Sequence, residues 1–218
     1  MFKNHFGFNH VTMCHDINQH LQFLKHCYNK IEIPDTNLKY IYDCYAYKYN
    51  LELQKRESHV RYEKYPELNL KFIQNSISKV DILIFEICNL KYYNYKGFNV
   101  RVERCSKAIE SIDNTCDVIN KLNQLRSIIP SYKKLVLVSH LRPNIYRNGP
   151  IIQSRENINK ICKEFCSVNN NSYHYDPSII VDKIKKENNI LIVENDDWYY
   201  KDEYLKYIYH DIVAKILV

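Results

Sequence analysis

The sequence predicts an α/β protein, a three-layer sandwich in which a mostly parallel sheet lies between helices. Two apolar runs, VDILIFEI (80–87) and KLVLVS (134–139), have the length and composition of strands that are buried on both faces of a parallel sheet. Segments with helical spacing of apolar residues alternate with these runs, which is typical of strand–helix–strand units. No linker or internal repeat divides the chain, so we expect a single domain over residues 1–218.

Helical segments are expected before the first of these strands. Apolar residues spaced three or four apart between residues 11 and 29 predict a helix, and we expect that helix to begin near Asn9. The tyrosines of 38–53 fit an alternating strand as well as a helix, and we interpret this stretch as a helix. A short helix ending near Ser78 should follow a loop.

Three longer helices are expected after the first clear strand, each with a capping side chain at its start. The capping residues are Ser106, Ser154 and Asp202. The helix after Ser106 should bury Ile109 and Ile112 and end before Pro130. Two short apolar stretches, 173–175 and 190–193, predict further strands.

Composition excludes several classes of protein. The chain has only three glycines, far apart, so it holds neither a dinucleotide-binding fingerprint nor a phosphate-binding loop. Its eight cysteines include no C-x-x-C pair, so we expect no metal site. The N-terminal residues lack the apolar core of a signal peptide, so we expect a reducing compartment and mostly free thiols. No cofactor is expected. No apolar run approaches the ~20 residues of a membrane span, and no apolar leader opens the sequence. We expect a cytoplasmic protein, in the host cytoplasm if the source is a virus.

Polar residues follow the predicted strands at the edge where parallel sheets bind ligands. His140 ends the second clear strand, where it can serve as a base, contact an anion, or simply bond to loop backbone. Arginines in this region can clamp a carboxylate or phosphate, and asparagines can stabilise an oxyanion. The candidate binding residues are Asn89, Ser139, Arg142, Asn144, Tyr199 and Arg155, the last expected in the first turn of a helix.

Five segments together resemble the SGNH/GDSL-type hydrolase superfamily, in particular its GSCFA-like branch of bacterial and large-virus proteins. Over about residues 80–217 they are VDILIFEICNLKYY, LVLVSHLRP, SRENINKICKEFC, YHYDPS and NDDWYYKDEY. The resemblance implies a flavodoxin-like sheet and a Ser- or Cys-His-Asp site that cleaves or transfers acyl esters on glycans or lipids.

The chain departs from this family pattern at both ends. Asp196 matches the family's Asp-x-x-His block, but Tyr199 stands where the histidine should be, so His210 is a candidate substitute base. One alignment places TMCHDINQHL on the nucleophile block and makes Cys14 the nucleophile. The other alignment, which we prefer, leaves the block out of the chain, which is then N-terminally incomplete.

Three functions fit these observations. The first is a divergent SGNH-like hydrolase or acyltransferase acting on an ester-modified glycan or lipid. The second is a catalytically inactive binding module of the same fold, suggested by Tyr199 and the missing block. The third is nucleic-acid binding through the tyrosine- and lysine-rich region 38–65, which we expect least because acidic residues dilute its positive charge.

Overall fold

The computed structural model describes most of the chain between residues 10 and 217. The described residues are 10–11, 14, 16–34, 45–50, 55–61, 74–75, 77–100, 105–140, 150–180, 183–184, 207–208 and 210–217. Within them the protein is of the α/β class and contains three small sheets, one of them parallel. The prediction of an α/β protein with parallel strands is confirmed for the described residues.

The described elements follow one another along the chain in a mixed order. They are β1 (His10–Val11), α1 (Ile17–Cys27), β2 (Tyr45–Asn50), β3 (Lys55–Arg61), β4 (Ile82–Ile87), β5 (Lys91–Tyr95), β6 (Phe98–Val100), β7 (Ile109–Ile112), α2 (Thr115–Ile128), β8 (Lys134–Ser139), α3 (Pro150–Val168), β9 (Ser172–Tyr175) and a π-helical turn at Val213–Leu217.

The parallel sheet has the strand order β4–β8–β9. Every residue of β4 pairs with a residue of β8, from Ile82 with Lys134 to Ile87 with Ser139. β9 pairs in parallel with the other side of β8. α2 precedes β8 and α3 precedes β9 in the chain, as the crossover connections of parallel strands require. All three strands therefore end at the same edge of the sheet.

Apolar side chains cover both faces of this sheet, because successive residues of a strand point to opposite faces. On one face, a large buried cluster joins the sheet to α1, α2 and α3. Its members include Leu83, Phe85, Ile87, Leu135, Leu137, Leu24, Leu122, Leu125, Ile158 and Phe165. On the other face, a smaller cluster comprises Val136, Val138, Tyr175, Ile184, Ile208, Ile212 and Ile216.

Two antiparallel sheets accompany the parallel one, with the orders β1–β2–β3 and β6–β5–β7. β5 and β6 form a hairpin whose turn residues Lys96 and Gly97 have φ angles of 51° and 83°. Positive φ at both positions is the geometry of a two-residue turn that matches the twist of the strands. The Gly97 amide donates to Asn94 Oδ1 at 3.1 Å, which further fixes the turn.

The predicted helices near the N-terminus need two corrections. Residues 45–50 of the stretch interpreted as a helix form β2, because their alternating pattern is satisfied by antiparallel pairing with β3. α1 begins at Ile17 rather than near Asn9, because the Asp16 carboxylate accepts a hydrogen bond from the Gln19 amide at 2.9 Å and caps the helix there.

The helix predicted from Ser106 is also wrong at its start. Ile109–Ile112 is a strand, β7, that pairs with β5, and Ile109 and Ile112 are 72% and 63% exposed. α2 begins only at Thr115, where Asn114 and Asp117 form a reciprocal capping box.

The start of α3 differs as well, since Ser154 lies inside a helix that begins at Pro150, a residue suited to the first helical position.

Three of the expected strands are confirmed. The strands expected within 80–87, 134–139 and 173–175 are present, whereas 190–193 and the Asp202 cap lie outside the described residues. The seven cysteines that are described form no disulfide. Within the described ranges, each helix is too short or too polar to cross a bilayer.

Leu122→Ala and Ile112→Ala distinguish this fold from the helix predicted after Ser106. Leu122 is fully buried, so its truncation should lower the free energy of unfolding by about 2–5 kcal/mol. Ile112 is exposed in β7, so its truncation should cost less than about 1 kcal/mol. Urea unfolding measures both changes. Equal, large losses would mean that Ile112 belongs to the core and that β7 is misplaced.

Candidate active site

Glu86, Cys88 and His140 meet at the carboxyl edge of the parallel sheet. Ile87 pairs with Ser139 at the end of the β4–β8 ladder, so the next residues along the two strands, Cys88 and His140, are neighbours. Glu86 precedes Cys88 by two residues and therefore points to the same face of the sheet. The register of two strands thus collects three reactive side chains at one point.

The distances within this cluster are short. His140 Nδ1 lies 2.6 Å from Glu86 Oε1, and the two side chains are 11% and 26% exposed. The Cys88 sulfur, a Glu86 carboxylate oxygen and a ring nitrogen of His140 all lie within 4.8 Å of one another. A largely buried histidine held by a carboxylate, with a thiol beside it, can move protons or bind a cation.

The first helix packs against this edge. His20 Nε2 bonds the main-chain carbonyl of Glu86 at 3.0 Å, and its ring lies edge-on to Phe85 with centroids 4.9 Å apart. Asp16, at the start of α1, forms an isolated parallel bridge with Asn89. These contacts fix the backbone of the segment that carries Glu86 and Cys88.

The environment of Cys88 favours the neutral thiol. Burial raises the pKa of Cys88 well above its ordinary value, and the negative charges of Glu86 and Asp16 raise it further. Arg155 is only 5% exposed and opposes this effect with its positive charge. Cys88 consequently needs a base to take its proton before it can react as a thiolate.

Asp16 is a buried carboxyl group, 2% exposed, at the start of α1. Burial raises its pKa from 3.8 to about 7, although hydrogen bonds from the backbone of Gln19 and Asn18 oppose the shift. Repulsion from Asp113 adds to it. Asp16 therefore carries a substantial proton population at neutral pH.

Ser139 belongs to a separate network on the other face of β8. Its Oγ lies 2.6 Å from Asn159 Oδ1 and 2.9 Å from His174 Nε2, and Asn159 Nδ2 donates to Asp176 Oδ2 at 3.1 Å. Turning the Asn159 amide around would set its oxygen against the Asp176 carboxylate. The Ser139 proton is therefore donated to Asn159, and His174 donates to Ser139. Because His174 donates to Ser139 in this arrangement, it is not placed to accept the Ser139 proton as a base.

The predicted site residues are distributed over several places. His140 lies in the cluster. Asn89 is the residue after Cys88, and its Oδ1 accepts a hydrogen bond from the Lys91 amide at 3.0 Å. Arg155 is buried in the second turn of α3, not in the first turn as expected, and its charge acts on Cys88. Ser139 is buried in its own network.

Cys14 and His210 lie elsewhere in the described structure. Cys14 packs against the large hydrophobic cluster, and its interaction with Cys27 contributes to raising the pKa of that buried thiol. His210 lies on an exposed side of the C-terminal helical segment. The remaining candidates, Asp196, Tyr199, Arg142 and Asn144, are outside the described residues.

Two residues of the cluster, Glu86 and Cys88, were missed by the sequence analysis. Of the polar residues that follow the first clear strand, only Asn89 was selected as a candidate. The available signal was the spacing of two reactive residues at i and i+2, which places both on one face of a strand. Their proximity to His140 depends on the β4–β8 register, which the spacing alone does not give.

Comparisons with protein-family models, with curated proteins and with solved structures find no match to this chain. The fold and the site thus define an α/β protein with a Glu–Cys–His cluster at the carboxyl edge of a parallel sheet.

Asp16→Asn should change how stability depends on pH. Between about pH 4 and pH 7 the unfolded chain loses the Asp16 proton that the folded protein keeps, so the stability of the wild type falls as the pH rises. Asparagine still caps α1 but cannot ionise, which removes a penalty of at most about 4 kcal/mol. Urea unfolding of both proteins should be measured at about pH 4.5 and about pH 8. The free energy of unfolding of the variant should rise relative to that of the wild type at the higher pH. A constant difference would contradict the raised pKa.

Proposed function

We propose that the protein is a divergent SGNH-like acyl hydrolase or acyltransferase that acts on an ester-modified glycan or lipid. The proposal includes a three-layer, flavodoxin-like arrangement of the domain, with the site at the carboxyl edge of its sheet. The observation that supports it best is the 2.6 Å contact between His140 Nδ1 and Glu86 Oε1 beside the Cys88 thiol.

The three side chains suit the roles of nucleophile, base and orienting group. When Glu86 accepts the Nδ1 proton of His140, the Nε2 atom of the imidazole is left as a proton acceptor. The carboxylate also stabilises the imidazolium that forms when the ring takes a proton. Cys88 then supplies the nucleophile in place of the family's N-terminal residue.

The proposed reaction proceeds through a thioester. The Cys88 sulfur attacks the ester carbonyl carbon while His140 removes the thiol proton, and the collapse of the tetrahedral intermediate breaks the bond to the alkoxy oxygen. The leaving alcohol takes that proton from His140. Water, or a second hydroxyl compound, then attacks the thioester with His140 again as base, which frees the Cys88 thiol and releases the acid or a new ester.

The raised pKa of Cys88 determines how the attack is made. A standing thiolate is disfavoured by burial and by Glu86, so the proton must leave as the sulfur attacks. The positive charge of Arg155 favours the negative charge that develops during this step. The reaction needs a reduced Cys88, which the proposed cytoplasmic location provides.

Hydrolysis of p-nitrophenyl acetate tests the proposal. We expect purified protein to hydrolyse it above background, His140→Ala to lower the rate by about 10²–10⁴-fold, and Cys88→Ala to lower it at least as far. Glu86→Gln should also lower the rate because an amide cannot stabilise the imidazolium.

Glu164→Gln is the matched control for Glu86→Gln. Glu164 is an exposed carboxylate on α3 that lies 4.0 Å from Lys160, and its replacement should leave the rate unchanged. Background rates for the wild-type protein, with circular dichroism showing that it is folded, would refute the hydrolase proposal. The non-catalytic binding module would then be the better interpretation.

A further inference from the structure

We propose that Glu86, Cys88 and His140 form a binding site for one divalent first-row transition-metal ion of the Zn²⁺ class. The ion would have a thiolate, an imidazole nitrogen and a carboxylate oxygen as protein ligands. Three protein ligands leave a fourth tetrahedral position open to water or to another small ligand. This inference goes beyond the proposed acyl transfer and contradicts the sequence prediction of no metal site.

The first argument is geometric. The three donor atoms lie within 4.8 Å of one another before any ion is bound. Zinc-ligand bonds of about 2.0–2.3 Å hold tetrahedral donors roughly 3.5 Å apart. Side-chain rotations that draw the Cys88 sulfur about an ångström closer, and that open the 2.6 Å contact between His140 Nδ1 and Glu86 Oε1 by a similar amount, would bring the donors to this spacing.

The second argument is the chemistry of the donors. A thiolate and an imidazole favour zinc and its first-row neighbours over magnesium and calcium, which prefer sets of oxygen ligands. The thiolate and the carboxylate together carry two negative charges, which balance a divalent cation. Such balance matters at this site because all three side chains are partly buried.

The third argument is the rigidity of the scaffold. Glu86 is the fifth of six residues in β4 that pair with β8, and its main-chain carbonyl accepts a bond from His20. Cys88 and His140 each follow directly after the ladder. One ligand thus lies on a paired strand and the other two each stand one residue beyond such a strand, so all three are held more firmly than ligands on a long loop, which reduces the cost of assembling the site.

Metal binding and acyl transfer would use the same three side chains. An ion bound to the Cys88 sulfur would prevent that sulfur from attacking an ester, so bound Zn²⁺ should inhibit thiol-dependent hydrolysis. Only this consequence rests on the proposed function. The binding itself is measurable without a substrate, so the two proposals fail independently.

The test uses untagged, reduced, metal-free protein titrated with Co²⁺ and, separately, with Zn²⁺ against a chromophoric chelator. We expect about one equivalent of either ion to bind, with a thiolate-to-cobalt charge-transfer band that Zn²⁺ abolishes and excess Mg²⁺ does not. Cys88→Ser should remove the band, and both Cys88→Ser and His140→Ala should weaken Zn²⁺ binding by at least about 100-fold.

Cys116→Ser is the matched control, because Cys116 is an exposed thiol on α2. Its Zn²⁺ affinity should stay within about twofold of the wild-type value. Wild-type protein without the thiolate band would overturn the proposal, whether or not any variant folds. A band that persists in folded Cys88→Ser, or that disappears in Cys116→Ser, would overturn it too. Binding without ester hydrolysis would refute only the proposed acyl transfer.

Discussion

The parallel pairing of β4 with β8 is the constraint on which the rest of the structure depends. Its register alternates apolar side chains between two clusters and brings the ends of both strands to one edge. A shift by one residue would turn every side chain of β4 to the opposite face of the sheet. Glu86 and Cys88 would then point to the face opposite His140, and His140 would lose its carboxylate partner. Core and site are consequently specified by the same ladder.

The two faces of the sheet divide the polar chemistry in the same way. Ser139 points into a closed hydrogen-bond network with Asn159 and His174, where its proton is already committed. His140, one residue later, points to the opposite face and bonds Glu86. Hydrogen bonds satisfy the first group, so it stabilises the fold. The second group places an imidazole beside a thiol that donates only a weak hydrogen bond, to the Glu86 main-chain carbonyl at 3.9 Å.

Local signals predicted the parts of the fold that local interactions determine. The apolar runs of β4 and β8 were recognisable because each stands in a single segment. Ile109 and Ile112 were misassigned to a helix because their spacing fits one, although pairing with β5 makes them a strand with exposed isoleucines. His140 was predicted from its place at a strand end. Glu86 and Cys88 were not, since their proximity to it arises from pairing between segments distant in sequence.

The claim that these side chains form one unit is tested most directly by a double-mutant cycle. Unfolding free energies of wild type, Glu86→Gln, His140→Ala and the double variant give the coupling between the two side chains without reference to any ligand or substrate. A pair in contact at 2.6 Å should show a coupling above about 0.5 kcal/mol. Additive effects of the two substitutions would contradict the account, because the carboxylate and the imidazole would then not interact in the folded protein.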